Sequence, residues 1–311
     1  MAATLHTLRR KGLIVFSGAD AQAFLQGQLS CDVAAVAGGK SSYGSYCTPQ
    51  GRILASFLLW RAGDEYFMQL PAVLCEPMQK RLSMYVLRAK AKATLASDAY
   101  AQFGIAGDDA TRVIAALFAD APAASHEVMR ADGATVIRLP GDRFLVIAPT
   151  VAAAHVRDAL VKSGASEADE AAWERLDIRA GVPWITPATQ EQFIPQMVNL
   201  DLIGGVSFSK GCYPGQEIVA RAHYRGQVKQ RMHLVHIDAD TAVQPGDSIY
   251  SAYMGSQSSG AIVNAAPAPR GGYDALAVIQ TGSVESGDVH WRALDGPRLE
   301  FLPRDASVTR D

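Results

Sequence analysis

The sequence predicts an α+β protein: two subdomains with helices layered on antiparallel sheets, related by an internal duplication, followed by a small C-terminal β-barrel. Three observations predict it. The order strand, tight turn, strand, proline, helix occurs twice, and Gly63-Asp64 and Pro71 of the first copy return as Gly141-Asp142 and Pro149 at one common offset. After about Arg231 the chain changes to short extended runs separated by turns, with no helical period. Its 311 residues also exceed one core, since single cores stop growing at roughly 250 to 300 residues, so two or three are expected.

In chain order, Asp20 is placed to cap AQAFLQGQL, whose Phe24, Leu25 and Leu29 form one apolar face of a short helix. A glycine-rich turn leads into RILASFLLW, residues 52–60, a strand; GD turns it into EYFMQL, and Pro71 opens a helix through Met78, Leu82 and Tyr85. ATVIRL, PGD, RFLVIA, Pro149 and the helical VAAAHVRDALVKSG repeat that order. A helix carrying Trp173 and Leu176 then gives way to a long loop with Pro183, Pro187 and Pro195, and loops of such length in compact domains are often functional. The last part offers RMHLVHI, DSIYSAYM, SSGAIVNAA, ALAVIQTG and RLEFL as strands, with APAPRGG as a hairpin loop. This places a first region over residues 1–228 and a barrel domain over 229–311.

Composition narrows the functional classes. Apolar residues make up 49% and charged residues 19%, as in globular proteins, and the formal net charge of -2 supplies no basic field for nucleic acid, so no direct nucleic-acid partner is expected. The apolar run after Arg9, Arg10 and Lys11 is too short for a signal peptide, and no run approaches the ~20 apolar residues of a membrane span. A cytoplasmic monomer with no membrane partner is expected. Cys31, Cys47, Cys75 and Cys212 form neither a metal-ligand spacing nor a disulfide framework, so no metal site is expected. His233 and His236 point to opposite faces of an extended segment and are expected at the surface or a sheet edge.

The segment with the most chemistry is KGCYPGQEIVAR, residues 210–221. Gly211 and Gly215 bracket Cys212 on backbone that is neither plain helix nor strand, which holds the thiol on a turn. Lys210 and a helix start at Gly215-Gln216-Glu217 are surroundings that favour a thiolate, whereas the plain alternative is a small buried hydrophobe, the role expected of the other three cysteines. Glu217 and Arg221 are spaced as a helical surface pair, with a site role as the alternative. Trp173 either packs in the core or presents its ring to a flat ligand.

Taken together, GADAQAFLQGQLSCDV, TPQGRILASFLL, FIPQMVNL and KGCYPGQEIVAR resemble the YgfZ-type folate-binding proteins, relatives of the glycine-cleavage T-protein, an aminomethyltransferase. The resemblance covers residues from about 5 to 305. It implies a ring of three domains around an opening that binds tetrahydrofolate or a derivative, and a role in assembling or repairing iron-sulfur clusters, including those of tRNA-modifying enzymes. Reduced folate and iron-sulfur proteins or their assembly factors are the implied partners. The implied functional thiol is Cys212, and the implied folate contacts are Trp173, Asn199, Lys210, Gly211, Tyr213, Gly215, Gln216, Glu217 and Arg221. A second family tryptophan corresponds to Lys11, and a pterin-binding glutamate corresponds to Arg179.

Where the resemblance places the adjacent aspartates of aminomethyltransferases, this chain has Ala55 and Ser56. Neither stabilises charge as a carboxylate does. A folate-binding accessory protein is therefore expected ahead of a folate-dependent one-carbon transferase, and both ahead of a cysteine hydrolase built on Cys212 and His223.

Overall fold

A computed structural model describes residues 2–224, 226 and 228–303. By compactness the chain divides into two units, Met1–Gly44 with Phe57–Trp173 and Ser45–Ser56 with Glu174–Asp311.

Each copy of the predicted repeat forms as a hairpin followed by a helix. In the first, strands Ile53–Ala62 and Glu65–Pro71 pair antiparallel and helix Ala72–Met84 follows directly. In the second, strands Ala134–Leu139 and Arg143–Pro149 pair antiparallel, and a 3-10 turn, Thr150–Ala152, leads into helix Ala153–Lys162. The prolines do the same work in both. Pro71 has φ -52° and ψ 128°, Pro149 φ -54° and ψ 140°, and each ends a strand with a fixed φ that suits the entry to a helix. Gly63 and Gly141 both take positive φ, 66° and 82°, as the tight turns require.

The first hairpin belongs to a five-stranded sheet in the spatial order Ser42–Cys47, Ile53–Ala62, Glu65–Pro71, Lys11–Ser17, Lys92–Leu95. Leu74, Cys75, Met78 and Leu82 are the buried stripe of the helix that follows, and they meet the sheet closely: a Cβ on Gly12 would lie 2.4 Å from Cys75 Sγ. The second hairpin belongs to a six-stranded sheet ordered Ser166–Ala168, Thr4–Thr7, Tyr100–Ala106, Arg143–Pro149, Ala134–Leu139, Val128–Ala131. Helices Ala110–Phe118 and Ala153–Lys162 bury Val113, Ile114, Val156 and Leu160 against Leu5, Ile105, Val136 and Phe144 of that sheet.

The chain from residue 230 forms a third sheet, ordered His290–Trp291, Ser248–Tyr250, Ser258–Pro267, Tyr273–Gln280, Gln230–Ile237, Leu299–Phe301. Its strands pair antiparallel, and a bridge from His290 to Arg298 draws the two edges together into a nearly closed barrel around Val235, Ile249, Ile262, Ala277 and Trp291. The predicted α+β class is the one observed.

Four local expectations are corrected. Asp20 precedes helix Ala21–Gln26 but does not cap it with its side chain, because its Oδ2 accepts from the amide of Lys90 at 2.7 Å. DSIYSAYM is not one strand: Ser251 accepts from the amide of Tyr253 and starts a 3-10 turn, Ala252–Met254. The barrel region also contains a helix, Thr281–Ser286. His236 is neither exposed nor at an edge; it is buried, with Nδ1 3.1 Å from Asp274 Oδ1.

Trp173 ends the first unit and is 2% exposed. Its ring lies against Gly104, where a Cβ would stand 2.3 Å from Cε3, with the Arg143 guanidinium 5.1 Å from the ring centroid and the His6 ring 5.8 Å away. His6 is held between the carbonyl of Asp169 at 2.6 Å and Thr4 Oγ1 at 2.9 Å, and burial lowers its pKa. Gly104→Ala is expected to overpack this cluster and lower stability by about 1–3 kcal/mol, read as a reduced denaturation midpoint with a shifted tryptophan emission; an unchanged midpoint would show that the ring moves aside without cost.

Candidate functional site

The Cys212 loop belongs to the second unit, and its geometry begins with two turns. In the TPQG turn, the Gly51 amide donates to the Thr48 carbonyl at 2.9 Å and the Arg52 amide to Thr48 Oγ1 at 3.2 Å. Gly51 has φ 73° and Gly215 has φ 82°, conformations that L side chains rarely adopt. The two turns also press backbone to backbone. A Cβ on Gly215 would lie 2.5 Å from the Thr48 carbonyl oxygen and 2.7 Å from Gly51 Cα, and one on Gly51 would lie 3.1 Å from Ile218 Cβ. Only glycine fits at Gly215, and this contact fixes where the helix Gln216–Tyr224 begins.

Residues 181–215 contain neither helix nor strand, so side chains supply much of their hydrogen bonding. Arg52 Nη1 donates to the Gln192 carbonyl at 2.7 Å, and Gln190 Nε2 to that of Leu54 at 2.7 Å. Gln196 Nε2 donates to the Val219 carbonyl at 2.6 Å, tying this segment to the helix after Cys212. Asn199, at φ 58°, donates through Nδ2 to the Met232 carbonyl at 2.7 Å, and its Oδ1 accepts from Arg231 at 3.4 Å. Arg231 also donates to both carboxylate oxygens of Asp201, at 2.8 and 3.0 Å.

Cys212 is exposed, whereas Cys31, Cys47 and Cys75 are buried. Burial pushes the Cys47 thiol up to about 12 and the Cys75 thiol up to about 11. Around Cys212, a Cβ on Gly211 would meet nothing within 4 Å, and Lys210 Nζ lies 5.1 Å from the ring centroid of the buried Tyr213. Glu217 and Arg221 form an exposed pair at 2.9 Å, of the kind worth about 0.3–0.5 kcal/mol. Among the described residues no bond joins His223 to Cys212 as a base would be joined to its nucleophile; its ring stacks on Phe208 at 3.8 Å and 16°.

The structure thus brings Gly215, Gln216 and the start of the helix carrying Glu217 and Arg221 against the TPQG turn. It engages Trp173 and Asn199 with their own chain. Sequence reasoning missed the partner of Gly215: TPQG is visible as a turn, but nothing local says which segment packs on it. It also missed the use of Ser56, whose Oγ donates to the Pro183 carbonyl at 2.7 Å and accepts from the Ile185 amide at 2.9 Å. Lys11 is buried at the start of its strand, and its carbonyl accepts from Gln102. Arg179 lies 3.8 Å from Asp274, as does Arg175, so the carboxylate that His236 touches also faces two guanidiniums.

Among the described residues no group of three or more His, Cys, Asp and Glu could hold a metal ion, and no helix is long and apolar enough to cross a membrane.

Comparisons with known proteins agree with this layout. The GCVT N-terminal domain family matches residues 3–136. The chain is 33% identical over 250 residues to a tRNA-modifying protein YgfZ from Shigella sonnei, covering 79% of this chain and 76% of that one. It is 34% identical over 251 residues to the protein of the same name from Sodalis glossinidius, covering 79% and 75%. Among solved structures, the glycine cleavage system aminomethyltransferase T from Bartonella henselae superposes with a TM-score of 0.77 at 15% identity, covering 100% of this chain and 88% of that one, a likeness of fold.

Iodoacetamide at pH 8 is expected to modify one thiol of the native protein, Cys212, and all four cysteines after denaturation, because the raised Cys47 and Cys75 thiols stay protonated there. Peptide mapping that finds Cys31, Cys47 or Cys75 labelled in the native state would contradict the buried assignment.

Proposed function

The chain belongs to the YgfZ family, and on that premise we propose that it is a tetrahydrofolate-binding accessory protein in iron-sulfur cluster assembly or repair, supporting iron-sulfur enzymes that modify tRNA. The observation that carries this reading is the pairing of a rigidly based, exposed Cys212 with the structural use of Ser56.

Ser56 and Ala55 stand where the resemblance puts the aspartates of an aminomethyltransferase. Both are buried, and the Ser56 hydroxyl is bonded on its donor and its acceptor side to residues 183 and 185. Neither side chain supplies a carboxylate at this place. This supports an accessory role over one-carbon transfer, since charge placed in advance at the reacting atom is worth about 2.7–4 kcal/mol per group in such reactions.

Folate, when bound, supplies a flat pterin and anionic carboxylates. Within the Cys212 loop, the open space at Gly211 and the ammonium of Lys210 fit such a ligand, with Tyr213, Gly215, Gln216, Glu217 and Arg221 as the surrounding proposed contacts. Trp173 and Asn199 fit less directly, because the ring of one and the amide of the other are already engaged. Their proposed part is to hold the chain around them. The proposed organisation is a folate-binding region over 1–228 and a barrel domain over 229–311, working in the cytoplasm on iron-sulfur clients or their assembly factors.

Two measurements test this. Titration calorimetry with tetrahydrofolate and its 5-formyl derivative is expected to show binding that Lys210→Gln weakens; no heat with either folate would remove the central claim. Cys212→Ala is expected to fold and bind folate as the parent does, yet fail to restore iron-sulfur enzyme activity in cells lacking the native protein. Full rescue by that variant would mean that the loop contributes its shape and the thiol is a passenger.

A further inference from the structure

The barrel of the second unit is closed by a tight return of the chain. Strand His290–Trp291 pairs with Ser248–Tyr250 at one edge of the sheet, and the residues that follow lead back to Leu299–Phe301 at the other. Backbone contacts hold the two limbs of this return together: the Trp291 amide donates to the Pro297 carbonyl at 2.9 Å, the Leu299 amide to that of Val289 at 2.9 Å, and His290 bridges to Arg298. There is little slack. A Cβ on Gly296 would stand 2.1 Å from the Trp291 carbonyl oxygen.

The ring of His290 lies across the return. Its Nδ1 is 2.7 Å from the Gly296 carbonyl oxygen and its Nε2 is 2.7 Å from Asp288 Oδ1. A carbonyl has no proton to give, and neither has a carboxylate, so each contact is a hydrogen bond only when the ring nitrogen donates. Neutral imidazole carries one N–H. It can make one of the two bonds, and at the other it sets a lone pair against an oxygen, whereas the imidazolium makes both. We propose that the barrel closure is a pH-operated clasp: His290 as the imidazolium ties the return of the chain at both Gly296 and Asp288, and loss of its proton to water unties one of them.

The groups around the ring support this reading. The bond to the Gly296 carbonyl, and after it the bond to Asp288, raise the His290 pKa above the ordinary 6.5, against smaller opposing effects of burial and of the Arg298 charge. Arg298 faces the ring across the bridge, with its guanidinium donating to the Gly287 carbonyl. Tyr250 is the residue opposite on the adjoining strand, Arg292 is paired with Asp247 at 3.2 Å, and Asp295 is in the returning loop. A group whose pKa is raised on folding stabilises the folded form below its ordinary value, and that contribution is lost as the pH rises through the folded value. The clasp is therefore closed in mild acid and opens on the alkaline side of 6.5.

Two measurements on the full-length protein test this. Nitrogen NMR of histidine-labelled protein, with the His290 signals identified by their loss in His290→Gln, is expected to show protons on both ring nitrogens in mild acid and a pKa above 6.5 that falls in Asp288→Asn. Hydrogen exchange read by mass spectrometry, corrected for the intrinsic pH dependence of exchange, is expected to show protection of residues 288–299 falling about three- to tenfold between about pH 6 and pH 8.5. Strand Tyr273–Gln280 is expected to keep its protection over that range, and His290→Gln to show no such fall. A His290 pKa at or below 6.5, equal protection at the two pH values, or a fall that survives in His290→Gln would each overturn the proposal. If the thermal midpoint shows that His290→Gln does not fold, Asp288→Asn makes the same comparison, since it keeps the ring and its bond to Gly296 while removing the charge. Its loss of protection is expected at lower pH than the parent's, and an unmoved transition would overturn the proposal equally.

Discussion

A close approach of two backbones, Gly215 onto the Thr48–Gly51 turn, is the constraint on which the candidate site depends. The carbonyl of Thr48 occupies the place where any other residue at 215 would carry its Cβ, and both glycines hold positive φ. This contact joins segments separated by most of the first unit's sequence. It sets the origin of the helix Gln216–Tyr224 and leaves Cys212 just ahead of that origin, on exposed chain with a fixed end.

Around that contact, the 181–215 segment shows how irregular chain is made firm. Besides isolated turns of its own, it relies on Arg52, Ser56 and Arg231 to bond its backbone, while its Gln190, Gln196 and Asn199 donate to carbonyls of the strands and helix around it. The polar residues here are therefore structural first. Ser56 is the clearest case: its hydroxyl replaces a rung of sheet between strand Ile53–Ala62 and residues 183 and 185.

The fold was largely legible because its signals are local. Prolines that end strands, glycines in tight turns and the alternation of short runs after residue 230 all act within a few residues. Failures came where distant partners decide. His236 sits on a strand as expected, but its burial depends on Asp274, Arg175 and Arg179. Trp173 looks equally suited to a core or a binding face until Gly104 and Arg143 are known to enclose it. TGSVES has too little apolar character to announce a helix, and forms one after the strand Tyr273–Gln280 ends. In the candidate site, the glycines of KGCYPGQE marked a special backbone correctly, while the surface against which that backbone rests was invisible from the motif alone.

The distribution of sulfur has a consequence for oxidative chemistry. Three thiols are sealed in the interior and one is outside. If peroxide converts Cys212 to a sulfenic acid, the chain offers no accessible resolving cysteine with which to close an internal disulfide. A thiol that condenses with it, releasing water, comes from another molecule, and the product is a mixed disulfide opened by a further thiol. With one exposed thiol, a disulfide formed by Cys212 of the folded protein is therefore an intermolecular one.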